Sequence, residues 1–281
     1  MEGDKHRGRG EKSELRMENN DLSYKSPTKL RIEEINNRLL PKMEEFEKEH
    51  KNHGKIVVIG AGAFGTAMAT VAARSGHDVV LYARSNEDCE SININNRNQR
   101  YFSEYILPNN ISATTNLEEA LSDCTFIMLC IPCQRVTPFL EENKDLISPS
   151  ALIVNTAKGL HLKSKRLMSD AIKEALGRDQ PYALLSGPSF AKEIMEGYPS
   201  AVCVASKYLY HAVQVQRMMA SSTFRIFTSQ DVIGVELGGA LKNPLAIGAG
   251  MIEGLGFKIN TMSGMHTMYY SHMSSILPIF L

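Results

Sequence analysis

The chain has 281 residues, 43% hydrophobic and 22% charged, with 31 basic and 31 acidic side chains and a formal net charge of zero. That composition suits a soluble globular protein of one large domain or two, and the charge balance gives no overall electrostatic case for nucleic acid or an anionic membrane as a partner. No apolar run reaches membrane-spanning length, the polar N-terminus lacks a signal-peptide core, and five cysteines without framework spacing fit a reducing compartment.

Residues 1–53 read as a charged N-terminal extension, partly disordered or helical. Their first half has too few apolar side chains to offset the entropy of ordering. From Thr28 a helical pattern runs through Leu30, Ile35, Leu39, Met43 and Phe46, with Pro41 interrupting it, so two short surface helices are the alternative to a disordered arm. A transit peptide is a weaker reading, because such segments are poor in acids and this one is not.

Residues 54–230 read as one α/β domain. Ile56-Val57-Val58-Ile59 is a wholly apolar, β-branched run, as expected of a strand buried on both faces. Gly60-x-Gly62-x-x-Gly65 follows at once, and residues 66–73 are good helix formers. In that context Gly60 allows a tight turn, Gly62 lets backbone approach a pyrophosphate, and Gly65 lets the helix sit close to the strand. The helix N-terminus then offers free N–H groups to phosphates. Further strands are predicted at 78–82, 126–131, 151–154, 182–185, 201–205 and 224–228, and helical stretches at 117–121 and 138–146. This alternation implies a Rossmann-like, doubly wound parallel sheet.

Three side features bear on chemistry. The second strand ends in Tyr82-Ala83-Arg84, where an acid would prefer a ribose hydroxyl and an arginine can accept a 2′-phosphate. Arg84 therefore permits NADP, the alternative being a solvated surface arginine. Cys130-Ile-Pro-Cys133 ends an apolar strand and is not expected to open a redox-type helix, so it reads as structural. From Asp231, a candidate N-cap, residues 231–252 read as one long helix rich in Gly and Ala, with Pro244 inside it. Lys242 stands alone in that apolar helix, either snorkelling or placed for chemistry. Residues 231–281 read as the start of an all-helical second domain.

Gly60-Ala-Gly-Ala-Phe-Gly65, Ala157-Lys158-Gly159-Leu160, Ser186-Gly-Pro-Ser-Phe-Ala191 and Glu236-Leu-Gly-Gly-Ala-Leu-Lys242-Asn243 occur in the order and spacing of one family. Over residues 54–260 the chain resembles NAD(P)-dependent glycerol-3-phosphate dehydrogenase of the bacterial and plastid type. The resemblance implies reduction of dihydroxyacetone phosphate to sn-glycerol 3-phosphate by hydride transfer from NAD(P)H. It implies catalytic roles for Lys242, as proton donor and acceptor, and for Lys158. The cofactor would meet Gly60, Ala61, Gly62, Ala63, Phe64, Gly65, Arg84, Arg135, Lys158 and Ala191. The substrate would meet Lys158, Gly187, Ser189, Lys242 and Asn243. Two neighbouring ammonium groups are expected to depress each other's pKa.

The resemblance further implies a small phosphorylated substrate. The balanced charge and the lack of a membrane-length run point to no nucleic-acid or membrane partner. The apolar helix from Asp231, without partner helices, points to a homodimer or else to aggregation, and a cytoplasmic or alternatively plastid location is expected. Residues 262–281, rich in Met, Ser, Tyr and His, depart from the family, and its later Gly-Asp and Arg-Asn pairs have no counterpart, so a C-terminally truncated member is expected. His266 and His272 read as incidental, with no metal site. Two other readings stand beside this one: a dehydrogenase of another small hydroxy substrate, and a non-catalytic nucleotide-binding homologue or partner subunit.

Overall fold

The computed structural model describes residues 54–276, so the extension of residues 1–53 and its helical pattern lie outside the described residues. At the centre is β1 (Lys55–Ile59), followed by α1 (Ala63–Arg74), β2 (Val79–Tyr82), α2 (Asn86–Asn95), β3 (Ile111–Thr114), α3 (Leu117–Leu121), β4 (Cys124–Leu129), α4 (Cys133–Asn143) and β5 (Leu152–Asn155). Then come α5 (Met168–Leu176), β6 (Tyr182–Ser186), α6 (Ala191–Glu196), β7 (Ser200–Ala205), α7 (Leu209–Met219), β8 (Phe224–Ser229), α8 (Val232–Gly254) and α9 (Ile259–Ile276).

Among the described residues the eight strands form one sheet in the order β3-β2-β1-β4-β5-β6-β7-β8. Every pairing is parallel except β6 with β7. The expected doubly wound fold is therefore present, followed by a helical C-terminal region.

The apolar runs have a two-sided cause. Ile56 and Val58 enter one core with Phe126, Met128, Leu152 and Val154. Val57 and Ile59 enter the other with Ile127, Leu129 and Ile153. Successive side chains of a strand point to opposite faces, and here helices cover both. On one face α1, α6 and α7 supply Met68, Ile194 and Val215. On the other α3, α4 and α5 supply Leu121, Leu140 and Ile172. A fully buried side chain of this size contributes about 1.5–3 kcal/mol, so either core alone would be costly to open.

The strand β3 was not expected. It is a short edge strand in which Ile111 and Ala113 are buried while Ser112 is exposed, so it shows too little apolar character to read as a strand by itself. Two boundaries move. β4 starts at Cys124 and ends at Leu129, and α4 covers Cys133–Asn143, with Pro138 inside it. The helix expected from Asp231 is α8, which continues through Pro244, and the Gly234 N–H donates to the Asp231 carboxylate at 2.8 Å as a true N-cap. The segment after it, read as a biased tail, is helical as α9 and packs on α8, where the Tyr269 hydroxyl donates to the Leu241 carbonyl. A Cβ on Gly248 would lie 3.2 Å from Met265 Sδ, which is the close helix approach expected of the small residues. Among the described residues no helix is long and apolar enough to cross a membrane.

Candidate functional site

The strand order reverses between β1 and β4, so the segments leaving those two strands diverge and open a crevice at the carboxyl ends. The glycine turn lies there. Gly60 has φ +109°, and a Cβ on it would sit 2.8 Å from the Cys130 carbonyl oxygen. Gly65 is buried so close to the Gly60 carbonyl that no side chain fits. Gly62 is different: a Cβ there meets nothing within 4 Å. The first and third glycines are thus required by packing, and the second faces open space. Gly62 caps α1 without a side-chain bond, and the first turn carries no acid, so its N–H groups remain available to an anion. Phe64 is half-buried and packs against the core, which anchors the turn.

Other expected residues arrive from neighbouring strand ends. Lys158 follows β5 and is half-buried; its ammonium donates to the Gly187 carbonyl at 2.9 Å. Gly187 follows β6 with φ +152°, and a Cβ on it would lie 2.9 Å from Val202 Cα. The Ser189 hydroxyl donates to the same carbonyl at 3.2 Å. Ala191 opens α6 and rests on the core. Lys242, on α8, places its ammonium 5.6 Å from the centre of the exposed Phe190 ring, a cation–π contact. A Cβ on Gly239 would come 2.8 Å from Ser186 Oγ and 3.7 Å from Lys158 Cγ, so this glycine lets α8 approach the Lys158 strand end.

Lys158 is held below the usual amine value, first by burial and then by the charge of Lys242. The expectation of mutual depression thus has the wrong leading cause for Lys158, since removal from water outweighs the second ammonium. Asn243, Arg84 and Arg135 are exposed. Arg84 lies just past β2, and Arg135 is in the first turn of α4. Neither makes an ion pair with the described residues.

Cys133 is the first residue of α4, so the Cys-x-x-Cys segment does open a helix, contrary to expectation. Burial nevertheless pushes the Cys130 thiol up to about 12 and raises Cys133 as well, with Glu236 adding to the latter. All five cysteines are free, and these two are poor thiolates.

Two polar residues were given no role from the sequence. Glu236 is 4% exposed, and its carboxylate accepts from the Ser169 N–H at 3.1 Å and the Ser169 hydroxyl at 2.7 Å. Helix α5 has no side-chain cap of its own, so Glu236 caps it from another element and fastens α8 to the sheet domain. Burial raises its pKa against the pull of those bonds. An acid within an apolar Gly/Ala helix was the available signal, parallel to that of Lys242. The second residue, Asn98, is wholly buried beneath the glycine turn and lies in a polar stretch without periodicity.

Comparison with known proteins agrees with the fold. The model for the N-terminus of NAD-dependent glycerol-3-phosphate dehydrogenase matches residues 55–212, and that for its C-terminus matches residues 231–280. The second match runs through residues 262–280, which the sequence reading had set apart from the family. The chain is 45% identical over 214 residues to the chloroplastic glycerol-3-phosphate dehydrogenase [NAD(+)] 2 of Arabidopsis thaliana, covering 75% of this chain and 51% of the relative. It is 37% identical over 222 residues to the glycerol-3-phosphate dehydrogenase [NAD(P)+] of Clostridium botulinum, covering 79% and 67%. The crystal structure of glycerol-3-phosphate dehydrogenase from Coxiella burnetii superposes with a TM-score of 0.74 at 31% identity, covering 81% of this chain and 69% of that one. The chain spans about half the length of its plant relative and two thirds of the bacterial one. With the family's N-terminal model matched over residues 55–212, more than half of the chain and including the glycine turn, the chain belongs to the NAD-dependent glycerol-3-phosphate dehydrogenase family.

Proposed function

We propose that this chain binds NAD or NADP at the turn from Gly60 to Gly65 and reduces dihydroxyacetone phosphate to sn-glycerol 3-phosphate. The observation that supports the reading is the convergence of Lys158, Gly187, Ser189 and Lys242 past the carboxyl ends of β5 and β6, on the same side of the sheet as the glycine turn after β1, with the Gly187 carbonyl shared by Lys158 and Ser189. The turn fits a dinucleotide because Gly62 faces open space while its neighbours are packed. Gly60, Ala61, Gly62, Ala63, Phe64 and Gly65 would hold the pyrophosphate, with Arg84, Arg135 and Ala191 as further contacts. The bound dinucleotide supplies the hydride.

The protein's own part is electrostatic. Lys242 holds a proton toward the substrate carbonyl oxygen and stabilises the alkoxide that develops there. Lys158, fixed by Gly187, orients the substrate and contributes positive charge in a partly dry site. Gly187, Ser189 and Asn243 line the substrate. Arg84 follows β2 at the position from which a side chain reaches the ribose, so NADP is accepted as well as NAD. The free cysteines and the resemblance to a chloroplastic relative support the cytoplasm, or second a plastid, as its place. Purified protein mixed with NADH and dihydroxyacetone phosphate tests the reaction: stoichiometric NADH oxidation with glycerol 3-phosphate formed supports it, and tight NADH binding without turnover overturns it.

One observation favours a second reading, a nucleotide-binding subunit that works through a partner copy. Lys242 and Asn243 are exposed, and so are Ile247 (60%), Met251 (64%) and Phe257 (56%) beyond them. A homodimer through this surface would cover it. Size measured in solution decides it, a dilution-stable monomer counting against the dimer.

A further inference from the structure

We infer that Asn98 is a positioning residue that aims the Gly62 N–H of the glycine turn at the ligand's pyrophosphate. Asn98 is 0% exposed, in the irregular segment between α2 and β3. Its Nδ2 donates to the Ala61 carbonyl at 2.9 Å and to the Thr66 hydroxyl at 2.8 Å. The Ala61 carbonyl can only accept, so it fixes which end of the amide faces the turn. The backbone of Asn98 is held in turn, its carbonyl accepting from the N–H groups of Tyr101 at 3.2 Å and Phe102 at 2.8 Å, while Phe102 and Leu107 are buried in the core.

The consequence follows from peptide geometry. In a planar trans peptide the C=O and N–H point in opposite directions. The carbonyl of the Ala61–Gly62 peptide is drawn inward to a buried donor, so the Gly62 N–H is turned outward. It meets no acceptor among the described residues, and a Gly62 Cβ would meet nothing within 4 Å on that open side. Without Asn98 the peptide could flip, presenting a carbonyl oxygen to the phosphates instead of a donor.

The amide is kept despite a cost, for Asn98 Oδ1 is buried with no partner. An apolar residue of equal size would avoid that unpaired acceptor. The packing therefore does not require asparagine; its two Nδ2 bonds do. Of those, the Thr66 bond steadies the first turn of α1, whereas the Ala61 bond alone sets the direction of an N–H that faces the ligand.

The inference rests on the dinucleotide reading proposed above, and the test separates the two. Binding of NADH, ADP-ribose and adenosine is measured calorimetrically for the wild type, Asn98→Leu and Thr66→Val. Wild-type protein that binds neither NADH nor ADP-ribose overturns the dinucleotide reading and this inference with it. Given wild-type binding, Asn98→Leu should weaken NADH and ADP-ribose by about tenfold or more and leave adenosine, which has no phosphate, within about twofold. Thr66→Val, which keeps the Ala61 bond, should leave NADH affinity within about threefold even if it lowers the melting temperature. Equal losses for all three ligands in Asn98→Leu would mark a merely structural role and overturn the inference, as would unchanged NADH affinity. Should Asn98→Leu fail to fold, a loss of about tenfold in NADH affinity for Thr66→Val would overturn it alone, and retained affinity would support it.

Discussion

The Lys158 ammonium donates to the Gly187 carbonyl at 2.9 Å, and this bond ties the end of β5 to the loop leaving β6. It orders a half-buried cation beside Lys242, with no carboxylate partner among the described residues. The carbonyl stabilises the charge by its dipole, yet burial still favours the neutral amine. Lys158 thus couples site geometry to stability.

Replacing Lys158 by Met should abolish or severely reduce turnover while relieving that burial. Because the folded pKa of Lys158 lies below the ordinary 10.5, the unfolded chain binds the proton more strongly. Wild-type stability should therefore rise relative to Lys158→Met as pH increases from the lowered value toward 10.5. Denaturant unfolding at several alkaline pH values checks the sign, and parallel curves for the two proteins would show that Lys158 is not held in this way.

Lys242→Ala should lower kcat by about 10²–10⁴-fold, the range for loss of a general acid, with NADH affinity preserved. Steady-state rates and a binding titration read the two effects separately. Near-normal kcat would remove Lys242 from the proton-transfer role.

Gly62→Val should fold normally, since a Cβ there meets nothing within 4 Å, yet block the ligand's approach. Dinucleotide affinity should fall by at least about tenfold with an unchanged melting temperature. Gly65→Val, by contrast, should destabilise the fold itself, because its side chain would collide with the Gly60 carbonyl.

Arg84→Asp should shift the ratio of NADPH to NADH affinity toward NADH by about ten- to a hundredfold, the worth of one charge-assisted hydrogen bond. Competitive binding measurements give the ratio directly. An unmoved ratio would leave Arg84 as a surface charge.

His211 offers a test of the fold away from the site. Buried among Tyr208, Tyr210 and Ser206, it is held down to about 4 from 6.5 by burial. The unfolded chain takes the proton first, so stability should be lost as pH falls from 6.5 toward about 4. The loss should approach about 3 kcal/mol. Comparing urea midpoints of wild type and His211→Gln across that range should show a shallower acid limb in the variant.

The sequence by itself determined the strand, glycine turn and helix from Lys55 to Arg74, the alternation that builds the parallel sheet, and the long helix capped by Asp231. These rest on local signals: period, β-branching, glycine spacing and a capping acid act over a few residues, so they can be read along the chain. Lys158, Gly187, Ser189 and Lys242 were recognisable through family motifs, which also implied that they meet one substrate, but the Gly187 carbonyl shared by Lys158 and Ser189 was not. Only tertiary structure decided that Ile111–Thr114 pairs as an edge strand, that Cys133 opens a helix, and that Glu236 caps α5 from 67 residues away. Asn98 is the clearest case. Its amide reaches a carbonyl 37 residues back along the chain, and nothing in the polar run around it marks that contact. Such bonds are selected by the closing of the fold, which brings a donor and an acceptor together where water cannot compete, and a one-dimensional pattern carries no record of it.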